Sequence, residues 1–257
     1  MRRCKLSKNS LGTGIDQGLL LRALILSGLI VLGIYLVEER GLLALTLRSD
    51  RSYISYVIIA LYGLFSLHWL YLVVALSSAQ GILDKTLPLL EQADANALVE
   101  RDGMLYIDQH RIPAGIFADY LSDLLKKNRF ANSEIDHSIL LDALVERLMS
   151  RHAFGHFASD LLLKFGLLGT IIGFIMMLTP VGALTDFDPN VLQQLLSQMS
   201  AGMAIALFTT LTGLVSSALL GLQYQLLDGG AARFVDRTAV AVEVLVLPML
   251  AVRAPQR

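Results

Sequence analysis

Four long apolar runs constrain this chain more than any motif in it. A helix needs about 20 apolar residues to cross the hydrocarbon core of a bilayer. Residues 19–37, a stretch within 52–83, residues 165–185 and a stretch within 189–227 each supply them. The second and fourth runs contain no Asp, Glu, Lys or Arg, and the fourth is most apolar over 199–222. Arg22 interrupts the first near its start, where a long side chain snorkels back to the headgroups. Over the 257 residues the charged fraction is 17%, against about 25% in a soluble domain, so lipid is the expected solvent. The net charge of −1 gives no reason to expect a nucleic-acid partner. The single cysteine, Cys4, excludes an internal disulfide framework and a Cys-rich metal site.

Arg2, Arg3, Lys5 and Lys8 precede the first run, as in a signal peptide. The run is long for a signal, however, and Glu38-Glu39-Arg40 follows it with no small-residue cleavage pattern. It reads as a retained anchor. Orientation follows the Lys and Arg counts of the loops. The tail before Arg22 has four, and residues 84–164 have nine. The loop 186–198 has none, and the C-terminal tail has Arg233, Arg237, Arg253 and Arg257. Both termini and the middle segment are therefore expected in the cytoplasm, although the first outer loop holds Arg40, Arg48 and Arg51.

The expected fold is an all-α membrane protein with four transmembrane helices and a helical cytoplasmic segment between the second and third. Residues 1–83 hold the N-terminal tail and spans one and two, 84–164 the cytoplasmic segment, 165–227 spans three and four, and 228–257 a cytoplasmic C-terminal helix. The middle segment carries 13 acidic and nine basic residues. Ile116, Tyr120 and Leu124, then Leu140, Leu144 and Leu148, recur at helical spacing. Met104-Leu-Tyr-Ile reads as a short strand or turn. Asp188-Pro189 is a good helix start for span four. Asp228-Gly229-Gly230 is expected to separate that span from a helix over about 231–247, which Pro248 ends or kinks.

Small residues crowd the last two spans. In span three they are Gly166, Gly169 and Gly173, with Thr170 among them and Thr179-Pro180 beyond. In span four Gly202, Ala206, Thr209, Gly213 and Ser217 recur at three- and four-residue steps, which makes one stripe on a helix. Thr210 borders it. Such stripes let helix backbones approach closely. Threonines at these positions also suit the wall of a polar path, where hydroxyls organise water or ions. The periodicity fits both readings.

Gly166-Leu-Leu-Gly-Thr-Ile-Ile-Gly173, followed by Ala206-Leu207, Thr210 and Gly213-Leu214, resembles the MotA/TolQ/ExbB proton-channel family. The resemblance covers about residues 160–228. It implies a subunit of an ion-driven motor in the bacterial inner membrane, not an enzyme. It further implies a homopentamer around the helices of two single-span partner subunits, each with an essential aspartate. Thr170 and Thr210, with Thr209 beside them, match the family's pore threonines; Gly166, Gly169, Gly173, Pro180, Gly202, Ala206, Gly213 and Ser217 are then packing positions. Ile205 stands where the ExbB and TolQ branches often carry a glutamate. The four-span layout resembles the flagellar-stator branch instead.

The residues themselves support this division of labour. A proton path needs a group that can be loaded and unloaded inside the membrane. Residues 165–185 and 189–227 hold no Asp, Glu, His, Lys or Arg, so a partner helix must bring the carboxylate. The competing readings are a membrane scaffold and a signalling subunit, neither conducting ions. No nucleophile elbow, P-loop or dinucleotide fingerprint is present, and no cofactor is expected. His68, next to Trp69 and near Tyr71, suits interfacial packing or a proton path. His152, His156 and Asp160 share one helix face, which reads as a solvated juxtamembrane surface rather than a metal site.

Overall fold

The computed structural model describes residues 16–41, 44, 46, 52–93, 98–101, 104–107, 110–130, 138–183 and 189–253. Cys4, the basic residues of the N-terminal tail, Arg48, Arg51, Arg257, Asp186 and the cap residue Asp188 lie outside them. The elements are α1 (Asp16–Glu39), α2 (Ile54–Gln92), β1 (Leu98–Arg101), β2 (Met104–Ile107), β3 (His110–Arg111), α3 (Ile116–Phe130), α4 (Ser138–Leu178), α5 (Pro189–Ala241) and α6 (Leu247–Arg253). A 3₁₀ turn (Val181–Ala183) follows α4, and a π turn (Val242–Val246) joins α5 to α6.

Four helical stretches are long and apolar enough to cross a membrane: Gly18–Glu39, Ile54–Gln92, Ser138–Leu178 and Pro189–Leu250. Each contains one of the four runs read from the sequence, apart from the end of the third beyond Leu178. At 1.5 Å per residue the 53-residue α5 is about 80 Å long, well beyond the roughly 30 Å of hydrocarbon it has to cross. The all-α class holds, with one addition. A three-stranded antiparallel sheet, in the order β1-β2-β3, sits between α2 and α3. Leu98 faces Ile107 and Tyr106 faces Arg111 in its register.

Two helix boundaries differ from the sequence reading. Span three and the helix expected over 139–149 are one element, α4, which stops at Leu178 rather than continuing to 185. Thr179 precedes Pro180, and a residue before proline is pushed out of the α region. The break expected at Asp228-Gly229-Gly230 is also absent, since α5 runs straight through it. Gly230 serves packing there: a Cβ on it would lie 2.6 Å from Leu19 Cδ1. Pro248 does leave its mark. The Leu247 N–H reaches back to the Val242 carbonyl, and this wider turn accommodates the ring that follows.

The chain divides into two compact units. The first comprises Met1–Ala23, Tyr71–Arg151 and Leu227–Arg257. Its core takes Leu83 and Leu90 from α2, Leu98, Leu105 and Ile107 from the sheet, and Phe117, Leu121 and Leu124 from α3. Leu144 and Leu148 of α4 and Phe234 and Val242 after them are buried as well. Polar contacts tie α2 to the distal part of α5. The Gln80 amide donates to the Gly230 carbonyl at 3.2 Å, and the Arg237 guanidinium donates to Asp84, which is mostly shielded from solvent. In the same unit, burial and the charge of Glu243 push the Tyr120 phenol above its ordinary pKa.

The second unit comprises Leu24–Leu70 and His152–Leu226. It is inside out relative to a soluble domain. Leu24, Ile25, Leu29, Leu64, Leu67, Ile171, Phe174, Leu207, Leu211 and Leu214 are all exposed. Trp69, beside the exposed His68, is fully buried. Its indole N–H donates to the Gln223 carbonyl, and the Gln223 amide donates to Ser66 Oγ at 3.0 Å.

The Asp84–Arg237 pair yields a prediction. Arg237→Ala leaves a shielded carboxylate without its partner and should cost about 1–3 kcal/mol. A thermal melt of the detergent-solubilised protein reads this. The exchanged pair Asp84→Arg with Arg237→Asp should recover part of the loss.

Candidate functional site

The site is the antiparallel seam between α4 and α5 inside the second unit. The seam can form because its facing positions lack bulk. A Cβ on Gly213 would lie 2.6 Å from the Gly166 Cα, and one on Gly173 would lie 2.6 Å from the Ala206 backbone nitrogen. A Cβ on Gly202 would meet the Met177 nitrogen at 2.6 Å. These are backbone neighbours, so no side chain can swing away to make room. Gly169 faces the Thr209 side chain in the same manner. Further along, Ser159 Oγ donates to the Ser217 carbonyl at 2.8 Å and lies 3.1 Å from the Ser217 hydroxyl. Gly166, Gly169 and Gly173 of α4 and Gly202, Ala206, Gly213 and Ser217 of α5 are thus brought together. Pro180 lies in the turn beyond α4.

The three threonines have different surroundings. Thr209 is fully buried, and its hydroxyl donates within its own helix, to the carbonyls of Ile205 at 2.8 Å and Ala206 at 3.2 Å. Thr210 donates across the seam to the Gly166 carbonyl at 3.1 Å. That carbonyl is the one the α-helical pattern pairs with the Thr170 amide. Thr170 and Thr210 therefore meet at one backbone oxygen. The Thr170 hydroxyl donates to the Leu167 carbonyl. Both hydroxyl protons are committed to backbone, and each oxygen keeps lone pairs with which to accept.

This arrangement has a chemical consequence. Groups that offer only lone pairs favour a donor: a protonated carboxyl, a hydronium-bearing water or a metal cation. They do little for a carboxylate. Ile205, fully buried, brings no acid of its own.

The histidines are dispersed. His68 is exposed, its ring edge-on to Phe154 at 6.2 Å. His152 is buried, whereas His156 and Asp160 are exposed. Among the described residues no three His, Cys, Asp or Glu are grouped to hold a metal. Sequence reasoning missed the polar cluster of Trp69, Gln223 and Ser66. Its signal was present in Gln223, one of two amides with Gln225 at the C-terminal end of an apolar run, but the partners lie more than 150 positions away.

Comparison with protein families matches residues 112–239, about half of the chain, to the MotA/TolQ/ExbB proton channel family. The match covers α3, α4 and nearly all of α5. No curated protein and no solved structure matches the chain.

The seam geometry predicts a graded response to added bulk. Gly213→Ala forces two backbones apart and should destabilise by about 1–3 kcal/mol. Gly221→Ala, whose Cβ would meet only Ser159 Oγ at 3.6 Å, should be near neutral. Thermal melts of the two variants in one detergent check the ordering.

Proposed function

Because the chain belongs to the MotA/TolQ/ExbB proton channel family, we propose that it is the channel and stator subunit of an inner-membrane ion-driven motor. It is a multi-pass membrane protein of a family of oligomeric channels that work with partner subunits. In this reading five copies surround two single-span partners, and each partner helix carries an aspartate. Both termini and the charged middle segment face the cytoplasm.

The observation that carries the reading is the convergence of Thr170 and Thr210 on the Gly166 carbonyl, between two spans that hold no Asp, Glu, His, Lys or Arg. The partner aspartate is the group loaded with a proton. Desolvation raises the cost of its charged form, so it crosses the apolar wall neutral. The acceptor oxygens of Thr170 and Thr210 receive the hydrogen bond of the protonated carboxyl. Loss of that proton removes the favourable contact and drives the aspartate toward a hydrated position. Repetition around the ring turns proton flow into rotation or force. Thr209 backs the path by holding the seam at Gly169.

A second reading rests on the same hydrogen bonds. All three threonine hydroxyls are already satisfied by backbone, as a scaffold that conducts nothing would require. Ion flux separates the two. In proteoliposomes of the complex, Thr170→Val and Thr210→Val should each retain folding and assembly yet lower proton flux several-fold. Wild-type flux in both variants favours the scaffold. Native mass spectrometry of the complex should give five copies of this chain with two of a single-span partner; a lone monomer or dimer contradicts the motor.

A further inference from the structure

The seam carries a second polar feature at its other end, on the side of the charged middle segment. Tyr224 is fully buried, and its hydroxyl has no hydrogen-bond partner among the described residues. Its ring lies on Gly155, where any side chain would collide with it. The His156 ring is 6.1 Å away, centroid to centroid, and is exposed. The adjacent Gln223 has its carboxamide oxygen buried without a partner as well. Buried polar atoms left open in this way are where ordered water is held. His156, Ser159, Gly166 and Thr170 lie along one face of α4, at steps of three, seven and four. On α5, Tyr224, Ser217 and Thr210 are spaced by seven, which returns nearly to the same face. Three contacts thus follow one another along the seam: His156 with Tyr224, Ser159 with Ser217, and Gly166 with Thr210.

We propose that His156, whose ring lies against that of Tyr224, is the proton-transfer station through which protons leave the seam on the cytoplasmic side. The proposal rests on the channel reading above and adds to it a residue of this chain that itself takes up the proton. An imidazole nitrogen of His156 accepts a proton from water held at the Tyr224 hydroxyl, as that water takes one from the next water along the seam. It then releases that proton to cytoplasmic water and returns to the neutral form, with no net change in the protein. An imidazole suits both steps because one ring nitrogen can accept a proton while the other carries one to donate. The Ser159–Ser217 and Gly166–Thr210 contacts are about 10 Å apart along the helix axis, a gap that water has to bridge. Among the described residues, titratable groups near His156 include Tyr224 on α5 and, one turn away on its own helix, His152 and Asp160.

The test is proton flux through the native complex, purified with its partner and reconstituted in liposomes enclosing a pH-sensitive dye. His156→Gln should lower flux about a hundredfold, the low end of what a positioned acid–base group contributes. Added imidazole should restore much of it, which a merely structural role would not permit. Tyr224→Phe, which keeps the ring on Gly155 and removes only the hydroxyl, should lower flux several-fold. His68→Gln should behave as wild type. Wild-type flux in His156→Gln overturns the proposal and leaves the channel reading standing. So does a loss in that variant that imidazole does not restore. A wild-type complex that carries no protons overturns the channel reading, and this proposal with it.

Discussion

A methyl group on Gly213 would sit inside contact distance of the Gly166 Cα, and the arrangement of the second unit follows from that proximity. In lipid no hydrophobic force draws one helix to another, because the acyl chains are as apolar as leucine. What remains is van der Waals contact between backbones and hydrogen bonds between the few polar groups. The glycines supply the first by removing every side chain that would hold α4 and α5 apart. The second then becomes available: Thr210 reaches a carbonyl of the facing helix, and Ser159 reaches Ser217. A wider seam would leave those hydroxyls to their own helices.

The same closeness decides what the hydroxyls offer. A threonine in a helix commonly gives its proton to a carbonyl of the preceding turn. Thr170 does so, while Thr210 gives its proton to the neighbouring helix. Either way the oxygen is left as an acceptor. A wall of acceptors is selective without being charged, since it welcomes a protonated acid or a cation and leaves a carboxylate unassisted. A subunit with no Asp, Glu, His, Lys or Arg in its last two spans can therefore still bias the protonation state of a partner.

The first unit is built on other terms. Its core is a conventional one of leucine, isoleucine and phenylalanine from helices and a small sheet. One shielded ion pair, Asp84 with Arg237, crosses between elements 153 positions apart in the chain. The π turn before Pro248 belongs here too, where a proline that would break a regular helix is absorbed by one wider turn.

The four spans, the all-α class and the two stripes of small residues were legible in the sequence. Each is a matter of length or periodicity along one helix, and the bilayer admits few other solutions. The motif residues of spans three and four were legible for the same reason. Helix ends were not. Gly229-Gly230 has the composition of a stop, yet α5 continues through it with Gly230 packed against the tip of Leu19. Periodicity placed Thr209 in the stripe of small residues and Thr210 at its edge, 100° round the helix, but did not say what either hydroxyl would reach. Only the packed pair of helices decided that Thr209 is enclosed against Gly169 while Thr210 spans the seam. The burial of Trp69 and Tyr224 likewise depended on which helices met. Local pattern states which faces of a helix are small or apolar. Which face meets which, and at what depth, is settled by contacts between residues far apart in the chain.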